Sequence, residues 1–357
     1  MRRWISRGAA ALAMGGLFAG IWHLAHHRYA LPHSPYHLSP VEEARLTHYF
    51  PDAARHGNYE VTAETLKRWM EAGTPLVLID VRQPGGAKGF RSGHIEGALN
   101  IPLQWMGREL TAHHPYTERL PFASQSEGHY EATIQFFPLP RHERIVVMCY
   151  DGNGGQMTPA LLRTLGYDAY GLKDGVALWN DKLNVWPRWA DAAAAVNWPV
   201  AAGDQGAFSL QKPTAGDDRL GLSAARRVAA FFRQARHPYP TGYAYPWTIE
   251  PDALAADLAS PHPPQVIDVR SPEAFRRSHI PHSINIPFQD LGANLNRINP
   301  AERVVLVSQS LQRAAQANAI MRLMGYRSDV LKQGLADWNR SLDTVPHSHE
   351  YPVVRGK

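Results

Sequence analysis

Short apolar runs alternate with helix-like stretches along most of the chain. Residues 75–81, 145–148 and 304–307 are almost continuously apolar, which is typical of strands buried on both faces of a parallel sheet. Residues 62–72 instead have a helical periodicity that begins at Thr62 or at the next residue. This alternation predicts an α/β fold in which parallel sheets are flanked by helices.

The pattern occurs twice. Residues 76–102 and 265–287 both contain Ile-Asp-Val-Arg, then His-Ile, then Asn-Ile-Pro. A second pair of segments, 144–180 and 303–339, also matches in register. Such self-similarity at a fixed spacing indicates a tandem duplication.

The spacing of single residues supports the duplication. Cys149 lies 30 residues before Trp179, and Ser308 lies 30 residues before Trp338. We take the two tryptophans to be core or interface anchors. The sequence therefore divides into a first predicted domain at residues 58–189, a linker at 190–239 and a second predicted domain at 240–350.

Copy 1 contains an additional stretch. There are 46 residues between Pro102 and Cys149 in copy 1, against 20 between the matched Pro287 and Ser308 in copy 2. We expect the extra residues, about 103–140, to form an excursion near the carboxyl ends of the strands, where sites in such folds lie.

Two segments outside the copies are predicted to be connections. Residues 29–57 are rich in Pro and His, and the prolines leave no fixed helix face that could gather histidine ligands, so a polar spacer is favoured over a metal site. Residues 190–239 are rich in Ala, Gly and Asp, and we expect loose packing with one helix at 223–236.

The N-terminal segment, residues 1–28, has the pattern of an export signal or a membrane anchor. Arg2, Arg3 and Arg7 precede an uncharged run over residues 8–24. The residues at its end fit a cleavage site poorly, so we favour an uncleaved anchor in a bacterial inner membrane with the body in the periplasm. A cleaved leader with a periplasmic body, and a buried N-terminal helix of a soluble protein, are the alternatives.

Charge and cysteine content narrow the function classes. The chain has 37 basic and 32 acidic residues, for a net charge of +5, but four arginines lie in the leader, which has no acid. The remaining 33 basic residues nearly balance the acids, which argues against nucleic acid as a partner. A single cysteine excludes an intramolecular disulfide and a Cys-based zinc or iron–sulfur site within one chain.

That cysteine lies in the segment with the clearest chemistry. A buried strand ends at Cys149, three glycines fall within the next six residues, and a helix follows. Glycines let successive backbone N–H groups turn inward, and the helix N-terminus adds positive potential. We therefore expect the pKa of the thiol to be lowered and an anionic sulfur to be stabilised. The alternative is a small core residue.

These segments together resemble the rhodanese (sulfurtransferase) family, over roughly residues 58–185 and 240–345. The resemblance implies two rhodanese-like domains, no cofactor and no metal. It implies that Cys149 carries a persulfide, with sulfur taken from thiosulfate or a similar donor and passed to cyanide, a thiol or a protein thiol. It assigns the persulfide-binding loop to Tyr150, Asp151, Gly152, Asn153, Gly154 and Gly155.

The loop departs from the family pattern in its charge. The family often has Arg and then Ser or Thr at the positions of Gly154 and Gly155, and here the loop has no cation but contains Asp151. We expect weaker recognition of an anionic donor, with charge available only from outside the loop, from Lys88, Arg91 or Arg108.

Copy 2 has Ser308 at the cysteine position and no glycine in its loop, so we expect it to be catalytically inactive. Because it keeps the matched Asp268 and His279, we expect these residues, and Asp80 and His94 in copy 1, to stabilise the fold.

Three functions remain for the duplicated chain. The first is a sulfurtransferase, and the second is a non-catalytic, membrane-anchored binding or sulfur-carrier module. The third, a phosphatase or arsenate reductase, is disfavoured because such chemistry needs an Arg to hold a tetrahedral oxyanion, and none lies between Cys149 and Arg163.

Overall fold

The computed structural model describes residues 38–124, 127–183, 185, 221–235 and 246–339. The leader, the beginning of the spacer and most of the linker lie outside these ranges. No helix among the described residues is both long enough and apolar enough to cross a membrane.

Two five-stranded parallel sheets confirm the duplication. The order of the first sheet is β1-β7-β6-β2-β3, and the second has the same order, β8-β12-β11-β9-β10. The strands are β1 Glu60–Val61, β2 Leu76–Asp80, β3 Leu99–Asn100, β6 Arg144–Met148, β7 Ala169–Leu172, β8 Thr248–Ile249, β9 Gln265–Asp268, β10 Ile284–Asn285, β11 Arg303–Val307 and β12 Arg327–Leu331. The additional residues of copy 1 form an antiparallel hairpin, β4 Tyr116–Ser124 and β5 Gly128–Phe136.

Eight α-helices accompany the strands within the described ranges. They are α1 Pro40–Arg55, α2 Ala63–Glu71, α3 Asn153–Thr164, α4 Gly221–Gln234, α5 Pro251–Leu258, α6 Pro272–Arg277, α7 Leu311–Leu323 and α8 Leu335–Trp338. The predicted helix over 62–72 is confirmed as α2, with the Thr62 hydroxyl accepting from the N–H of Thr65 at its start.

A core shared by the two copies lies between the sheets. Within the strands, alternate residues point to opposite faces, so Ile145 and Val147 face this shared core while Val146 and Met148 face an outer one. The helices α3 and α7 pack against each other in the shared core and are buried on nearly every side. Trp179 and Trp338 are buried in the two outer cores, as expected for anchors.

The expectation of a polar spacer is wrong for residues 40–55. They form α1, which begins with a capping box between Ser39 and Glu42. Leu46, Tyr49, Phe50 and Ala53 are buried because their spacing places them on one helix face. The Phe50 ring meets Phe288 of copy 2 edge to face, with 5.4 Å between the ring centroids. This segment is therefore part of the core.

The expectation of loose packing is wrong for the end of the linker. The predicted helix at 223–236 exists as α4, and its Val228, Ala229 and Phe232 are buried. The backbone of Ala229 lies so close to Gly107 that a side chain at Gly107 would collide with it. The helix α4 therefore fastens the excursion of copy 1 to the rest of the molecule.

Two matched ion pairs stabilise the ends of the central strands. Arg82 bonds through two nitrogens to the carboxylate of Asp80 and also donates to the carbonyl of Gly93, 2.7 Å away. Arg270 and Asp268 repeat this arrangement. In the same way His94 stacks on Phe90, and His279 stacks on Phe275. Because copy 2 keeps every contact without the cysteine, these contacts fit a structural role.

Replacing Phe50 with Ala should destabilise the protein by roughly 3–5 kcal/mol, because a fully buried ring in the shared core would leave a cavity. The matched control is Val41→Ala on the same helix, where the side chain is 68% exposed and a change within about 0.5 kcal/mol is expected. Urea unfolding of the full chain measures both variants. A loss of stability in Phe50→Ala no larger than that in Val41→Ala, about 0.5 kcal/mol, would contradict the integration of α1.

Candidate functional site

Cys149 lies directly after β6, at the carboxyl end of a central strand. It is buried, and the helix α3 begins four residues later. Between them the loop turns through Gly152, whose φ of +111° is available to glycine and strained for other residues. The sequence thus places the sulfur beside the N-terminus of a helix, as predicted.

Backbone N–H groups surround the sulfur. The amide of Gly152 lies 3.1 Å from the Cys149 Sγ, and the amides of Asp151 and Gly155 also donate toward it. A side chain at Gly155 would lie 3.2 Å from the Cys149 nitrogen, which is closer than usual, so glycine favours this close approach of the two backbones. The loop therefore forms a cradle of donors for an anionic sulfur.

The prediction of a lowered thiol pKa is wrong for this structure. Burial and the nearby carboxylate of Asp151 raise the pKa of Cys149 to about 12, although the three backbone donors act in the opposite direction. Desolvation is the larger effect because the sulfur is almost completely enclosed. The resting site therefore holds a protonated thiol at neutral pH.

A small cavity adjoins the sulfur. Val81 and Leu103 provide its apolar walls, and Gln83, Tyr150 and Asn153 provide polar ones. Its volume of about 10 Å³ is near the minimum needed for one water molecule. The cavity therefore has room for one added atom beside Cys149, and a larger donor requires its walls to move.

None of the proposed outer cations lines this cavity. Lys88 donates to the carbonyl of Lys182 at 2.5 Å, Arg108 pairs with Glu118, and Arg91 lies near the Tyr130 hydroxyl. Among the described residues, the buried guanidinium of Arg82 interacts electrostatically with Cys149, and it is already paired with Asp80. The sequence pattern Asp-Val-Arg contained this residue but gave no sign of its proximity to the sulfur.

The turn after β7 lies beneath the loop and fixes its backbone. The amide of Val176 donates to the carbonyl of Cys149 at 2.9 Å, and the amide of Ala177 donates to that of Tyr150 at 3.1 Å.

The loop carboxylate of Asp151 is fully buried and accepts from Gln333 of copy 2 at 2.6 Å. This contact was not predicted, because it joins residues that are distant in sequence.

The loop of copy 2 presents different groups at the same place in the fold. The Ser308 hydroxyl donates to the carbonyl of Ser310 and accepts from the amide of Ala314, so it is engaged by its own loop. Position 308 also lies at the end of a central strand, β11, as Cys149 does after β6. The two loops thus share a position and differ in what they could hold.

A family model described as "Rhodanese-like domain" matches residues 62–182 and 250–341, which together make up more than half of the chain. Among curated proteins, YrkF of Bacillus subtilis (strain 168), whose name proposes a sulfur carrier, is 23% identical over 126 residues, covering 34% of this chain and 68% of that protein.

Two solved structures are also similar to the chain. A rhodanese-related protein from Thermoplasma volcanium has 22% identity and a TM-score of 0.26, covering 30% of this chain and 96% of its own. A thiosulfate sulfurtransferase from Pseudomonas aeruginosa has 15% identity and a TM-score of 0.25, covering 86% of this chain and 70% of its own.

Replacing Asp151 with Asn should lower the pKa of Cys149, because the substitution removes the nearby negative charge and keeps the size of the side chain. We expect alkylation by iodoacetamide at about pH 8 to become roughly 3- to 10-fold faster, following the thiolate fraction. The single cysteine makes the rate specific to this site. The matched control is the exposed Glu96→Gln. If alkylation of the original protein reached a plateau below about pH 8, or Asp151→Asn were no faster, the assignment of a high pKa would be wrong.

Proposed function

The chain belongs to the rhodanese-like domain family, and on this premise we propose that it is a sulfurtransferase that moves sulfane sulfur through a persulfide on Cys149. The observation that carries the proposal is the cradle of backbone amides around the sulfur of a loop cysteine. A thiolate and a persulfide anion are both stabilised by such fixed donors.

The first half-reaction forms the persulfide. The Cys149 thiolate attacks the outer sulfur of thiosulfate or a similar donor, the sulfur–sulfur bond of the donor breaks, and sulfite leaves with the bonding electron pair. With thiosulfate the three negative charges are conserved, because the products are a persulfide monoanion and a sulfite dianion. The thiol must first lose its proton, and solvent water that enters when the cavity widens is the acceptor, since no base among the described residues lines the cavity.

The second half-reaction discharges the persulfide. A thiophilic acceptor such as cyanide, a thiol or a protein thiol attacks the outer sulfur, and the Cys149 thiolate leaves. With cyanide the product is thiocyanate. The cavity of about 10 Å³ beside Cys149 supports the intermediate, because it gives an added sulfur atom a place next to the thiol after a small displacement of the walls.

A non-catalytic sulfur-carrier or binding module is the second candidate. The high pKa of the Cys149 thiol and the absence of a basic residue among the described residues that line the cavity both favour it, because they slow attack on an anionic donor. A carrier would accept sulfur from a partner protein and release it to another, without turnover on small molecules. The name of the Bacillus subtilis protein is in accord with this candidate.

We further propose the cellular setting that the leader suggests. Arg2, Arg3 and Arg7, followed by the uncharged run, support an N-terminal membrane anchor with both domains in the periplasm, or a periplasmic protein if the leader is cleaved. Nucleic acid is not proposed as a partner. Fractionation of cells that express the full chain tests this setting, and recovery of the intact chain in the cytoplasm alone would exclude it.

Replacing Cys149 with Ser should abolish the formation of thiocyanate from cyanide and a sulfane donor, because an oxygen cannot hold the transferred sulfur. The matched variant is Cys149→Ser with Ser308→Cys, which moves the thiol to the equivalent strand end of copy 2. We expect it to be inactive as well, since that loop has no glycine and its hydroxyl is bound by its own backbone.

The assay should use thiosulfate and a low-molecular-weight persulfide as separate donors. Turnover by Cys149→Ser equal to that of the original chain would contradict the proposed function. Loading of Cys149 without turnover on either donor would favour the carrier.

A further inference from the structure

Two glutamines of copy 2 reach across the domain boundary to the Cys149 loop. Gln333 Nε2 donates to Asp151 Oδ2 at 2.6 Å. Gln312 Nε2 donates to the carbonyl of Asp151 at 2.9 Å and to Asp174 Oδ1 at 3.0 Å. Gln312, Gln333 and Asp151 are all buried, so water does not replace these contacts.

The contacts are reciprocal between the two copies. Asp174 and Gln333 occupy matched positions, each with a left-handed φ near +57° and each followed by a glycine that lies under its own loop. The loop of copy 1 pairs with the turn of copy 2 through Asp151 and Gln333. The loop of copy 2 pairs with the turn of copy 1 through Gln312 and Asp174. Copy 1 therefore supplies the carboxylates, and copy 2 supplies the neutral amides.

This division of chemistry fits a buried carboxylate. A desolvated carboxylate needs hydrogen-bond donors that add no competing negative charge, and an amide N–H meets that need. The titratable groups that face this region are the thiol of Cys149, the carboxyl groups of Asp174 and Glu60, and the cations Lys173 and Arg313. Burial raises the pKa of Asp174 to about 6 and that of Glu60 to about 7, so both carboxyl groups change charge near neutral pH.

We propose that Gln333 and Gln312 are positioning residues for sulfur transfer, which hold Asp151 and the backbone of the Cys149 loop in the conformation that aims its amides at the sulfur. Asp151 lies close to Cys149 in the loop, and its amide is one of the three donors to the sulfur. Fixing its carbonyl and its carboxylate from copy 2 therefore fixes the cradle. The second copy completes the site of the first and is more than an inactive duplicate.

The inference rests on the proposed function for its kinetic readout, so the test also follows alkylation of Cys149, which needs no sulfur transfer. Three variants of the full chain are compared over roughly pH 5–9, the range in which a shared carboxyl proton titrates. Gln333→Met keeps the length of the side chain and removes the donor. Gln333→Glu offers a donor only while the new carboxyl group is protonated. Gln289→Glu adds the same charge at an exposed position of copy 2 and is the control.

We expect Gln333→Met to transfer sulfur roughly tenfold more slowly than the original chain at every pH, as for the loss of one hydrogen bond to a charged group. Gln333→Glu should approach the original rate at low pH, where the introduced carboxyl group is protonated and donates to Asp151. It should fall toward the methionine variant as the pair loses its shared proton and two carboxylates face each other. The control should follow the original profile.

Alkylation of Cys149 distinguishes failure of the proposed sulfurtransferase function from failure of the proposed positioning role of Gln333. If the original chain transfers no sulfur, the proposed function fails, and the alkylation profile of Gln333→Glu still tests the positioning. If the alkylation rate of Gln333→Glu departs from that of the original chain over one pH interval, the positioning role is supported. If the two rates coincide at every pH, the positioning role is overturned. Equal losses of transfer at every pH in both Gln333 variants also overturn it, since a structural defect has no such pH dependence.

Thermal melting at each pH shows whether the variants remain folded. If Gln333→Glu melts below the assay temperature, the exchanged pair Asp151→Asn with Gln333→Glu restores one amide and one carboxylate. We expect this double variant to melt near the original temperature, and a melting temperature no higher than that of Gln333→Glu would contradict the pairing.

Discussion

The geometry of this site depends on one constraint, which is that the Cys149 sulfur lies among backbone amides and is almost completely shielded from solvent. The left-handed turn at Gly152 requires glycine, because a side chain there would be strained and would collide with Gln312, and a side chain at Gly155 would crowd the backbone of Cys149. The backbone of this loop is held from below by the amides of Val176 and Ala177 and from the side by copy 2. The duplicated fold supplies both supports.

Burial and donation act on the sulfur in opposite directions. Desolvation disfavours any anion in the cavity, and Asp151 adds to that effect, whereas three N–H groups favour the anion. The resting thiol is therefore protonated, and the cradle matters most once the sulfur carries negative charge as a thiolate or a persulfide. A site of this kind protects a loaded sulfur from solvent at the expense of the speed with which it is first loaded. Because burial would protect a bound sulfur but slow its loading, the same site is compatible with a catalytic transferase and with a sulfur carrier.

The duplicated sheets and the elements encoded by short local patterns could be predicted from the sequence. The two sheets and the helix after Cys149 follow from an alternation of apolar runs and helical stretches that occurs twice. The packing of α1 was missed because Pro and His dominate its surroundings, although Leu46, Tyr49, Phe50 and Ala53 have the spacing of a buried helix face. The direction of the thiol pKa could not be predicted, because it depends mainly on how completely the fold buries the sulfur. The glutamine contacts could not be predicted either, because they come from the second copy. Residues such as Gln333 and Asp151 are 182 positions apart in the chain.

The most direct measurement is the intact mass of the full chain after incubation with a sulfane donor and removal of the excess. We expect an increase equal to one sulfur atom, located on the peptide that contains Cys149, absent from Cys149→Ser, and lost again on addition of cyanide. An unchanged mass with every donor, including a persulfide, would contradict the central claim that this cysteine carries transferable sulfur.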